Sequence, residues 1–216
     1  MAIHFSREAR LLLKISFLVT FAESMLVPMY AAFTENVGGS ILDAGIAYAL
    51  FSVATGVMIA LVGTRDVFAR HTRRFMIAGF LGSIACDIGY IFVRDKWQLF
   101  GAQVIAGLAS GFIEPAWDSL FSDGIEEGSA KHWSIWAGGA HFLGGLAALA
   151  GGAIVAFSSF KVLFICMASI DIVAVFLAWR GGLHEASHAR HAEPATALPC
   201  VTTSVAPGEG SRANPS

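Results

Sequence analysis

Glu23, Asp87, Glu114, His141 and Asp171 lie well inside long apolar runs, where an ionised side chain is out of place. A carboxylate near the middle of a membrane helix costs roughly 2.5 to 3.5 kcal/mol on the insertion scale, so each acid needs a cationic partner, water or a proton. His141 is the one basic side chain deep in such a run, and it can serve only one of them. Two readings follow. In the functional one, Glu23, Glu114 and Asp171 face a wet cavity and hold a solute or exchange protons, with His141 as a relay. In the bland one, a protonated acid hydrogen-bonds a neighbouring helix and His141 is a packing residue. The bland reading suits Asp87 and Asp171, which stand apart from the prolines. Glu23 and Glu114 lie near Pro28 and Pro115, and interrupted helices are where membrane transporters place their sites.

A second constellation, His184, Glu185 and His188, spells H-E-x-x-H, with His191 close behind. On a helix that spacing sets two imidazoles on one face for zinc, with the glutamate as the general base of a metalloprotease. Here it falls in a polar stretch that offers no third ligand and no water-excluding wall. The expectation is a solvated segment with no bound metal, no cofactor and no enzyme chemistry. Cys86 and Cys166 fall inside apolar runs and Cys200 in the polar stretch, which suggests neither a disulfide framework nor a thiolate metal site.

The elements that must position these groups are membrane helices. Of the 216 residues, 56% are hydrophobic and only 14% charged, too apolar for an ordinary soluble domain. About 20 predominantly apolar residues cross a bilayer as a helix. Such runs recur at Leu11–Phe33, Ile41–Val62, Arg74–Val93, Trp97–Phe121, Trp133–Phe157 and Phe160–Trp179. Residues 1–10 then form a short N-terminal segment and 11–180 a six-helix transmembrane domain. Residues 181–216, rich in Ala, Ser, Thr, Pro and Gly, read as a disordered tail. Polar loops are expected from Gly63 to Arg73 and from Ser122 to His132.

Alternate loops differ in charge. One side receives Arg7, Arg10, Lys14, Arg65, Arg70, Arg73, Arg74, Lys131, Arg180, Arg190 and Arg212, and the other only Arg94, Lys96 and Lys161. Eleven against three places both termini in the cytoplasm, since an even number of crossings returns the chain to its starting side; the plasma (inner) membrane is the expected location. These basic residues form no face interleaved with aromatics, so no nucleic-acid partner is implied. Measured at about 1.5 Å per residue from the cytoplasmic ends, Glu114, His141 and Asp171 lie about 9 to 12 Å deep, and Glu23 and Asp87 about 18 to 20 Å. That predicts two polar layers.

Six helices divide into two inverted three-helix repeats, a common transporter plan. The first helix of each triplet carries an acid near a proline, and the third a mid-span aspartate, Asp87 or Asp171. In the fifth run Ala140, Gly144, Ala148 and Gly152 make a small-residue stripe, widened by Gly138, Gly139, Gly145 and Gly151. Such a stripe lets two backbones approach, either within the bundle or between two bundles. Gly107 and Gly111 form a shorter version in the fourth run.

The segment GTRDVFARHTRR between the second and third runs resembles the loop signature of the major facilitator superfamily, through Gly63, Asp66, Arg70, Arg73 and Arg74. The aspartate stands one residue early, and Thr72 takes the place of the second glycine. GLASGFIEPAWDSLFSD in the fourth run is similar to the fourth helix of drug-efflux-like members. The resemblance spans Leu11 to Trp179 and corresponds to the N-terminal six-helix half of such a transporter. It implies a substrate cavity between two bundles, lined by the first and fourth helices of each, with the second and fifth helices meeting the other bundle. A half-length secondary transporter of a small solute, proton-coupled and paired with a second copy or another half, is the expectation. A non-transporting membrane scaffold or assembly subunit is the alternative, and a zinc protease a third.

The orientation is testable by single-cysteine labelling. Cysteines placed near Ser40 and Asp95 are expected to react only from outside the cell, and one at Thr202 only from inside. The opposite sidedness at any of the three would overturn the assignment.

Overall fold

A computed structural model describes residues 5–125 and 130–181, and all regular structure among them is helical. The first span is α1 (Arg7–Leu26), a 3-10 turn (Val27–Met29) and α2 (Tyr30–Asn36). Then follow α3 (Ile41–Gly63), the short α4 (Asp66–Arg70), α5 (Thr72–Tyr90), α6 (Lys96–Asp123), α7 (Ala130–Phe157) and α8 (Phe160–Arg180). The two loops are shorter than the polarity of their residues suggests. Helix α4 occupies the middle of Gly63–Arg73, and α6 and α7 both extend into Ser122–His132. The polar tail, with His184, Glu185, His188 and His191, lies outside the described residues.

Local sequence explains where several helices begin. Ser6 Oγ accepts from Ala9 N–H at 3.0 Å, and Asp95 Oδ1 accepts from Trp97 and Gln98 N–H at 2.9 and 3.0 Å. At α3 the capping is reciprocal, since Ser40 Oγ accepts from Asp43 N–H and Asp43 Oδ2 accepts from Ser40 N–H. Each satisfies backbone donors that the first helical turn leaves open. Asp43 also pairs with Lys96 at 3.2 Å, which ties the starts of α3 and α6 together. At the opposite end Arg73 donates to the carbonyls of Trp179 and Ala178, at 2.7 and 3.4 Å. A guanidinium there supplies donors and positive charge to the last turn of α8.

Among the described residues five stretches are long and apolar enough to cross a membrane: α1 through α2, α3, α6, α7 and α8. Helix α5, the remaining span, misses that standard because it carries Arg73, Arg74 and Asp87. It packs against α6 and α8.

The principal helix contacts are α3 with α6, α5 with α6, α1 with α7, α1 with α8 and α5 with α8. Exchanging α1 with α6, α3 with α7 and α5 with α8 maps this set onto itself. That is the contact pattern of two three-helix repeats related by a two-fold axis, with α5 and α8 meeting across it.

Close approach depends on small residues, because lipid gives helices no hydrophobic drive to associate. A side chain at Gly107 would overlap the Phe51 carbonyl oxygen of α3, and one at Gly151 the Met25 carbonyl oxygen of α1. The tightest contact of α7 is therefore Gly151, one residue off the stripe. The stripe itself, Ala140, Gly144, Ala148 and Gly152, is half-buried. A Cβ at Gly144 would stand 3.3 Å from Ser24 Oγ and one at Gly152 3.9 Å from Met29 Cε, so the stripe flanks the seam within this bundle.

Two hydrophobic clusters fill the interior. One, at the end carrying Arg73, gathers Leu12, Ile15, Met76, Phe80, Trp117 and Phe121. The other gathers Met25, Phe33, Tyr90, Leu99, Leu163 and Phe164. Trp117 stacks on Phe121 at 4.6 Å and lies 4.7 Å from Trp136, which fixes the end of α6 against α7.

Overpacking a tight helix seam costs roughly 1 to 3 kcal/mol. Gly107→Ala and Gly151→Ala are thus expected to lower the thermal midpoint in mild detergent. Gly145→Ala, where nothing stands within 4 Å of the added carbon, should leave it unchanged. Equal effects at the three positions would contradict this packing.

Candidate functional site

Between the two clusters, on one side of the bundle, lies a cavity of about 520 Å³. Helix α1 and its 3-10 turn contribute Glu23, Leu26 and Val27 to its wall, with Tyr30 beginning α2. Pro28 accounts for this corner. It has no N–H to complete the helical ladder, and its ring would crowd the carbonyl four residues back, so the helix tightens into a 3-10 turn and resumes. Glu23 is thereby held in the last full turn before the irregularity.

Helix α6 contributes Gln103, Ala106, Ser110, Ile113 and Glu114. Pro115 does not break it, in contrast to Pro28. One hydrogen bond is lost there, but the turns beyond are held by Ala116, Trp117, Leu120 and Phe121, all buried. Only the first of the two proline-bearing helices is interrupted.

Helix α5 presents Ser83, Cys86, Asp87 and Tyr90, α8 presents Met167 and Asp171, and α3 presents Tyr48 and Phe51. The Tyr48 and Phe51 rings stack at 6.2 Å. Gln103 donates its side-chain amide to the Tyr30 hydroxyl across the cavity. The Cys86 thiol donates to the Ala102 carbonyl at 3.8 Å, which ties α5 to α6.

The cavity joins Glu23, Asp87, Glu114 and Asp171, one from each of four helices. Glu23 and Glu114 are exposed to it, whereas Asp87 and Asp171 are only 6% and 2% accessible. Glu23 is within electrostatic reach of both Asp171 and Glu114. The Asp87 and Asp171 carboxyls lie within hydrogen-bonding reach of each other. Among the described lining residues none is Lys, Arg or His.

Several expectations change. His141 is exposed on α7 and does not line the cavity, so it is no relay for these acids. The four acids form one polar layer, not two. The depth estimate took the helices to start level and run upright. Asp87 and Asp171 nonetheless line one cavity, although they stand at different distances from their helix ends. Of the loop residues, Arg73 caps α8 while Arg70 and Arg74 are exposed, and Gly63 ends α3. Nothing is described of the Asp66 side chain.

Tyr30, Tyr48 and Gln103 were not singled out by the sequence. Gln103 carried a usable signal, since a side-chain amide buried in an apolar helix must find a hydrogen-bonding partner.

Two comparisons bear on the chain as a whole. Residues 12–209 match the family model of the Major Facilitator Superfamily. A search of curated proteins found no match.

Exposure within the cavity can be read by chemistry. With Cys86, Cys166 and Cys200 replaced by serine, Glu23→Cys and Glu114→Cys are expected to react with a charged thiol reagent ~10-fold faster than Asp171→Cys, because thiol reactivity follows access. Equal rates would show that the cavity is not open as described.

Proposed function

The chain belongs to the major facilitator superfamily, and we propose that this secondary transporter moves a small solute by alternating access, with proton exchange at the cavity acids. The observation that carries the reading is the cavity itself, where four carboxylates from four helices converge with no basic residue among the described lining. In so apolar a bundle these groups are costly unless they meet water, protons or a ligand. Glu23 and Glu114, the two acids open to the cavity, are the solute- or proton-binding groups. Tyr30, Tyr48, Phe51 and Gln103 shape the wall around them.

One bundle supplies one wall. The working unit is a pair of six-helix bundles that face each other across the cavity, the second being another copy of this chain or a companion half. Helices α3 and α7, related by the repeat exchange, are the least buried spans and expose Val53 and Val57 on one and Phe142 and Leu149 on the other. Exposed apolar surfaces of this kind suit such pairing. In this reading the distribution of Lys and Arg puts both termini in the cytoplasm, and the host membrane is the plasma (inner) membrane.

Purified protein in liposomes loaded with a pH-sensitive dye, challenged with a panel of solutes, tests the reading. A solute-dependent proton flux is expected. Glu23→Gln or Glu114→Gln should reduce it about 10- to 100-fold, the equivalent of one charge-assisted hydrogen bond worth roughly 1.5 to 3 kcal/mol. Solute movement without proton movement would overturn the coupling, and unchanged flux in both variants would remove these acids from the site.

A further inference from the structure

Asp87 and Asp171 differ from the other cavity acids in three ways. They are the two that are buried, they face each other, and each keeps an oxygen with no partner: Asp87 Oδ2 and Asp171 Oδ1 make no hydrogen bond among the described residues. Both residues line the cavity, while the unpartnered oxygens themselves are sealed from it. They also occupy the seam of the repeats, one on α5 and one on α8, the helices that meet across the two-fold exchange.

We propose that Asp87 and Asp171 form a carboxyl dyad that holds one exchangeable proton between them. A hydrogen bond between two carboxyl groups requires a proton on one, and two carboxylates at that separation in an apolar interior cannot both remain ionised. Such a bond also ties α5 to α8, but helix packing alone does not require the pair to line a cavity, and both aspartates do.

The surroundings contain no competing cation. Facing the pair from the elements packed around it are Glu23 on α1, Tyr30 at the start of α2, Tyr48 on α3, Cys86 and Tyr90 on α5, and Glu114 on α6. None is basic, and His141 points elsewhere. A metal ion is the weaker assignment, because no group of three or more ligating side chains exists among the described residues. The exchange balances simply: one O–H bond breaks at the dyad as one forms on water or on Glu23 at the cavity surface, and no other reactant is needed. Glu23, within electrostatic reach of both aspartates, is the nearest exposed acid to pass the proton on.

The dyad deepens the transport reading by naming where the proton sits, but its readout needs no transport, so the two fail separately. Infrared spectra of the full-length protein at neutral pH are expected to show the carbonyl stretch of a protonated carboxylic acid. Aspartate-selective 13C labelling of the unmutated protein should shift that band, and glutamate-selective labelling should not. The band should be lost in Asp87→Asn and in Asp171→Asn, since an asparagine amide can donate to the remaining carboxylate. It should persist in Glu23→Gln and Glu114→Gln. A band that moves only with labelled glutamate, or no acid band at all, would overturn the dyad. Loss of the band on adding sodium chloride in place of choline chloride would overturn the proton in favour of a bound sodium ion. The isotope arm decides the question even if the asparagine variants fail to fold.

Discussion

The polarity of α5 constrains everything around it. A span that begins with Arg73 and Arg74 and carries Asp87 cannot be left to lipid on all sides, because each unpaired polar group in hydrocarbon costs several kcal/mol. Its polar face has to be covered by other helices, and α6 and α8 cover it. Arg73 is satisfied at one end by the last carbonyls of α8, and the position of Asp87 follows once that end is fixed. With α5 held between α6 and α8, the aspartate projects toward the seam and meets Asp171. Helix α6 can lie close to both neighbours because it is lined with small residues. It presents Gly107 to α3, while Gly79 of α5 would bring a Cβ within 2.8 Å of the Ala109 carbonyl oxygen.

Much of this arrangement is legible in the amino-acid sequence. Bilayer thickness sets the length of an apolar run, so the spans were legible to within a few residues, and the acid–proline pairs pointed to the helices that border the cavity. The failures have physical causes. Hydropathy reports composition and not direction, so His141 looked as central as Glu114 although it faces outward from α7. A stripe of small residues shows that a helix can be approached, but not by what. The close contact fell on Gly151, one position off the regular spacing, because helix crossing angles and not sequence periods select the residue at the crossing point. Tyr30 and Gln103 went unnoticed since neither is charged, and the bond between them joins residues 73 positions apart.

Depth along a helix was the least transferable quantity. It assumes that spans start at one level and stand upright, and membrane helices in general are tilted. Two aspartates assigned to different layers turned out to be neighbours. The repeat is the better guide, because it sets the third helices of the two triplets, α5 and α8, against each other.

That symmetry explains why the cavity has an acidic floor at all. The two repeats bring α5 against α8, and each of those helices carries an aspartate into the cavity wall, so an acid there is confronted by an acid. The alternatives are a cation between them, which no described lining residue supplies, or a proton shared by the pair. A shared proton leaves the site with one negative charge in place of two and ties its release to the water and acids of the cavity. The buried pair would then respond to whatever occupies the space above it, since a ligand that changes the field at Glu23 also changes how readily the proton leaves. Coupling of this kind requires no moving wire between distant sites, only an acid pair that is buried on one side and reachable from the other.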